Sequence, residues 1–178
     1  VRRLLSLLVL VLGTSSCATE WTRPAQNGSF VPPGTAYVCV DLPKEQQAAA
    51  KLAVDGWDKA LHQWKHIVYV EGGGPPLVTD CTYWVHEVTE VSDDDKHALA
   101  WASMLGGHEI SMRKGWYEHD TTGILLHELG HAFGAQHVPG TLMNSHWYRH
   151  GFICPDATTV AQVAAWNRIN LALLCWCY

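Results

Sequence analysis

The chain has 178 residues, a one-domain length that is long enough to bury a real core. Hydrophobic residues make up 48% and charged residues 16%, which is a globular composition and excludes general disorder. The net charge of -5, with no long basic run, leaves no electrostatic footprint for nucleic acid.

In chain order, Arg2 and Arg3 precede an apolar run from Leu4 to Leu12, and small residues then lead to Cys17. A short basic end, a short apolar core and small residues read as an export signal over 1–17. The run, about nine residues, falls short of the about 20 that a spanning helix needs. The small residues ending in cysteine resemble the lipobox of bacterial lipoproteins, with Thr14 where that family has Leu. That resemblance implies a lipid anchor at Cys17 and a place in the bacterial cell envelope. Ordinary cleavage would instead leave a secreted protein with Cys17 as a plain cysteine. Export places Cys39, Cys81, Cys154, Cys175 and Cys177 where disulfides persist, although sequence does not give their connectivity. The Cys-x-Cys ending at Cys177 has no second pair at ligand spacing, so structural bonding is preferred to a metal clip.

Residues 18–34 are rich in Thr, Ser, Pro, Asn and Gly and read as a flexible tether, leaving 35–178 as a single domain. Ala36–Asp41 alternates as a strand. Asp41 and Pro43 then signal a helix start, and Ala49, Leu52, Ala53, Trp57, Ala60, Leu61 and Trp64 recur at three- and four-residue steps along one helical stripe. His66–Glu71 and Cys81–Val88 are further strands, and Ser92–Asp95 is read as a solvated charged turn rather than a calcium site. His97–Leu105 and Glu109–Met112 are strand-like and separated by Gly106-Gly107. Asp120-Thr121-Thr122 caps a helix running to about Gly134, and Pro155-Asp156 caps an apolar helix expected from Ala157 to about Leu174. This order of strands and helices, with no internal repeat, predicts an α+β fold.

The chemistry lies in HELGHAFGAQH, residues 127–137. His127 and His131, four apart on a helix, share one face and can reach one ion. Leu125, Leu129 and Phe133 form the apolar back of that helix. Gly134 can take the left-handed conformation that ends a helix, letting the chain turn and bring in His137. Three nitrogen ligands leave one tetrahedral position open, the pattern of a catalytic zinc site rather than a closed structural one. Glu128 lies 100° round from His127, placed to act as general base beside the metal instead of ligating it. A buried histidine pair or a non-catalytic metal clip would have no use for that glutamate.

These residues resemble the extended zinc signature of the metzincin metallopeptidases, and Gly140-Thr-Leu-Met-Asn144 follows as in that clan. Met143 then corresponds to the methionine turn beneath the zinc. The short interval from His137 to Met143 is nearest the matrixins, while Val138 matches no common branch, and Ser145 stands where astacins and serralysins carry an extra tyrosine ligand. The resemblance implies a zincin fold with a twisted mixed sheet, an upper subdomain over 35–136 and a small, helical lower one over 137–178. It also implies a peptide or protein substrate laid along an edge strand. Ala98 and Trp101 fall in the candidate edge segment, and Asn144, Trp147 and Tyr148 would line the pocket after the cut bond. The expected function is zinc-dependent endopeptidase. The alternatives are a specialised cell-envelope peptide hydrolase and a non-catalytic binding module stabilised by zinc. Oligomeric state is left open.

Overall fold

The computed structural model describes residues 33–75, 79–90, 98–103, 108–115, 117–145 and 151–169. Five strands make one mixed sheet: β1 (Gly34–Asp41), β2 (Lys65–Glu71), β3 (Tyr83–Val88), β4 (Ala100–Ala102) and β5 (Glu109–Arg113). Their order is β2-β1-β3-β5-β4. The β1–β2, β1–β3 and β3–β5 pairs are parallel; β4 alone runs antiparallel, with Ala100 opposite Met112 and Ala102 opposite Ile110. With the helices α1 (Lys44–Leu61), α2 (Thr121–Ala132) and α3 (Ala157–Trp166), this is the expected mixture of helices with a mixed sheet. No helix among the described residues is long and apolar enough to cross a membrane.

Strand alternation puts Ala36, Val38 and Val40 of β1 on one face, all fully buried, with Tyr37 exposed on the other. Cys39 shares the face of Tyr37 yet is buried, because it is disulfide-bonded to Cys81, 42 residues on. Gly73 packs on that bridge: a Cβ there would lie 2.7 Å from the Cys39 Cβ. Cys154 is also disulfide-bonded. The expected signal, residues 18–32 of the expected tether, the Ser92–Asp95 turn, Cys175 and Cys177 lie outside the described residues, while Gly34, expected to end the tether, instead opens β1.

Helix α1 ends at Leu61, short of Trp64 in the expected stripe, and its inner face is Ala50, Ala53, Val54, Trp57, Ala60 and Leu61. Leu52, assigned to the apolar stripe, is 53% exposed, and Ala49 is only half-buried. The apolar residues of α1 span more than one face, and packing against α2 selects the arc through Ala50 and Val54. Trp57 fixes the crossing, donating its indole N–H to the Leu126 carbonyl at 2.9 Å, while the Thr122 hydroxyl donates to the Ala49 carbonyl at 2.9 Å. The Phe133 ring meets Trp57 and Tyr83 edge-on, at 5.0 and 5.5 Å between centroids.

Two expected elements are shorter. The run from His97 to Leu105 yields strand only at Ala100–Ala102, its outer residues 97 and 104–105 lying outside the described set. The last helix stops at Trp166 rather than near Leu174. The Asn167 amide turns back to donate to the carbonyls of Phe133 and Val163, and Arg168 takes φ 57°, which ends the helical path.

Candidate metal centre

Asp120 starts α2 as expected, its side chain accepting the Gly123 N–H at 3.1 Å. The helix brings His127 and His131 to one face and ends in a paired turn. The Gly134 N–H reaches the His131 carbonyl, and the Ala135 N–H reaches the Gly130 carbonyl, with Gly134 at φ +99°. A Cβ on Gly134 would sit 2.3 Å from Cδ1 of Trp166, so both backbone angle and space call for glycine. Beyond this turn the chain doubles back and delivers His137.

The three Nε2 atoms converge. They are 3.1 Å apart for His127–His131, 3.3 Å for His127–His137 and 3.1 Å for His131–His137. A tetrahedral zinc with bonds of about 2.0–2.1 Å holds its nitrogen ligands about 3.3–3.4 Å apart, so the spacing fits. The opposite ring nitrogens fix the tautomers. His127 Nδ1–H donates to the Leu142 carbonyl at 2.8 Å and His131 Nδ1–H to the Ala135 carbonyl at 2.9 Å. Both Nε2 lone pairs therefore face the shared centre, which is the arrangement a cation requires. These three histidines are the one such group of potential ligands among the described residues.

Burial keeps the set neutral. Loss of solvent drives His127 and His131 down to about 4, against the help of their carbonyl partners, and lowers His137 as well. Glu128 moves the other way: burial pushes its carboxyl up to about 8, opposed by a hydrogen bond from the Ala102 backbone. That bond ties the carboxyl to β4. A cation held by the three histidines would favour the ionised form of this carboxyl.

Met143 is fully buried beneath α2. A Cβ on Gly130 would lie 2.5 Å from its Sδ and 3.4 Å from Trp57, so the glycine in the motif gives the sulfur room to approach the helix. The Val138 N–H donates to the Met143 carbonyl at 2.7 Å, closing the loop that carries His137. Ala98, Trp101 and Asn144 are all half-buried. Trp147 and Tyr148 lie outside the described residues, as does the Gly106-Gly107 end of the candidate edge segment.

The contributions that sequence reading missed are mostly main-chain: the carbonyls of Leu142 and Ala135 and the amide of Ala102. Every residue carries these groups, so no letter marks them. Gly130 was legible in principle, since a glycine inside a helix costs about 1 kcal/mol against Ala and calls for a packing reason.

The sequence matches no family model and no curated protein. Among solved structures it is similar to myroilysin (16% identity, 64% of this chain and 54% of that one, TM-score 0.41). It is also similar to high choriolytic enzyme 1, a hatching enzyme zinc-protease from the medaka fish Oryzias latipes (19% identity, 70% and 52%, TM-score 0.37). A third likeness is to a chain in a chaperone-substrate complex (12% identity, 76% and 36%, TM-score 0.41). The matched segments span about half of the first two proteins. Overlaps this loose carry no functional argument, and the functional reading rests on the histidines and Glu128.

Proposed function

We propose that the chain is a zinc-dependent endopeptidase. One observation carries the reading: three imidazole Nε2 atoms meet at 3.1–3.3 Å, two of them set by carbonyls behind their rings, with a buried carboxyl on the adjoining helical position. His127, His131 and His137 would hold the zinc and leave one side open. Zinc there supplies Lewis acidity, which makes water a nucleophile near neutral pH and polarises the scissile carbonyl. Glu128 takes the proton from the attacking water on its carboxylate and returns it to the leaving amine. The Ala102 amide holds the Glu128 carboxyl in place, and β4, as an edge strand, offers main-chain pairing to an extended peptide through the segment with Ala98 and Trp101. Asn144, Trp147 and Tyr148 are proposed to contact the residue after the cut bond, and the N-terminal segment to anchor the enzyme in a bacterial envelope through Cys17.

A mixed peptide library incubated with the full chain and with Glu128→Ala, each assayed for bound zinc, tests the reading. Cleavage by the parent alone, with zinc in both, supports it. Zinc in both with cleavage by neither refutes peptidase activity.

A further inference from the structure

The N-cap of α3 is also fastened to the metal centre. Oδ1 of Asp156 accepts the N–H groups of Thr158 and Thr159, at 3.0 and 3.1 Å, which is ordinary capping. Oδ2 does something else: it accepts the Leu142 N–H at 2.8 Å and the Thr159 hydroxyl at 2.7 Å. Leu142 in turn receives the His127 Nδ1–H on its carbonyl at 2.8 Å and leads directly into Met143, whose sulfur packs under Gly130. A carboxylate 29 residues along the chain from His127 therefore holds the amide of Leu142, the residue whose own carbonyl, one peptide further on, sets this ligand's tautomer and ring plane.

We propose that Asp156 is a positioning residue for the metal centre, acting through Leu142 on His127. The inference rests on the zinc reading above but not on peptidase activity. Two physical features support it. Asp156 stands beyond the loop carrying His137 and Met143, so it fixes that loop against an element which itself packs on the end of α2 through Asn167 and Phe133. Its bond to Leu142 is charge-assisted and therefore stronger than the neutral turn bonds around it. A group that itself accepts the N–H of a metal-bound histidine typically contributes a tenfold to hundredfold effect on metal affinity. Acting one bond further out, Asp156 is expected at the lower end, about tenfold.

The test separates capping from positioning. Asp156→Asn keeps an acceptor for the helix cap but turns an NH2 group toward the Leu142 N–H, donor against donor. Asp156→Ser also caps well but lacks the reach to Leu142, and it serves if the Asn variant does not fold. Ala161→Gly weakens α3 without touching either bond. Zinc affinity is measured by competition with a chelating dye, and the cobalt-substituted proteins are compared by their visible ligand-field absorption. The expected result is about tenfold weaker zinc binding with a changed cobalt spectrum in both Asp156 variants, and neither effect in Ala161→Gly. Asp156 variants with the parent's affinity and spectrum, whatever their Tm, overturn the inference and leave Asp156 a helix cap. A parent that binds neither metal overturns the zinc reading itself, and this inference with it.

Discussion

Gly134 and Gly140 flank His137 at equal distances along the chain, and both have positive φ, +99° and +77°. Alanine at either site must accept left-handed backbone, at about 1–2 kcal/mol. They differ in surroundings. Nothing lies within 4 Å of a Cβ on Gly140, whereas one on Gly134 would meet Trp166 at 2.3, 2.6 and 2.9 Å. The backbone that carries Trp166 is held close to α2, because the next residue, Asn167, is bonded to the Phe133 carbonyl. Forcing a methyl group into such packing costs about 1–3 kcal/mol more. Gly134→Ala should therefore lose about 2–5 kcal/mol and Gly140→Ala about 1–2. Urea unfolding of both variants and the parent, with chelator present to remove metal linkage, measures the difference. Equal losses for the two variants would refute the collision with Trp166 and leave only backbone strain.

Replacing Glu128 by Gln should lower kcat by about 10²–10⁴ with zinc content unchanged, since only the proton acceptor is removed; metal analysis beside peptide hydrolysis checks both halves. Removing the Cys39–Cys81 bridge as a double Ala variant should cost up to about 4 kcal/mol by chain entropy for a 42-residue separation, read from urea unfolding under non-reducing conditions. Metal-free stability should peak near pH 6.5. Below that pH the unfolded chain protonates His127 and His131 from 6.5 downward while the folded form resists to about 4, so stability falls with falling pH. Above it the histidine contribution fades and that of Glu128 prevails, protonated in the folded form up to about 8 and ionised in the unfolded chain above 4.5, so stability falls as pH rises. Urea midpoints across pH 4.5–8.5 trace this curve, and a midpoint still rising through pH 8 would contradict it.

Much of this was legible in the sequence because the relevant signals are local. The four-residue spacing of His127 and His131, the Asp120 and Asp156 caps and the left-handed Gly134 are each fixed by a few neighbouring residues, and each appears where it was expected. The inner face of α1 was displaced because alanines lie on several faces, and only contact with α2 decides between them. The end of α3 was hidden because Asn167 acts through Phe133, 34 residues earlier. For the same reason the second role of Asp156 could not be read: capping shows in its neighbours, but the bond to Leu142 depends on how two distant loops meet. The Cys39–Cys81 pairing follows from β1 and β3 lying side by side, which composition does not reveal.

His127, His131 and His137 are expected to hold one zinc between them. X-ray absorption at the zinc edge, on the full chain loaded to saturation, tests it most directly. The expected result is one zinc per chain in a shell of nitrogen and oxygen scatterers at about 2.0–2.1 Å. Sulfur scatterers at about 2.3 Å, marking ligation by cysteines instead, or no bound zinc at all, would contradict it.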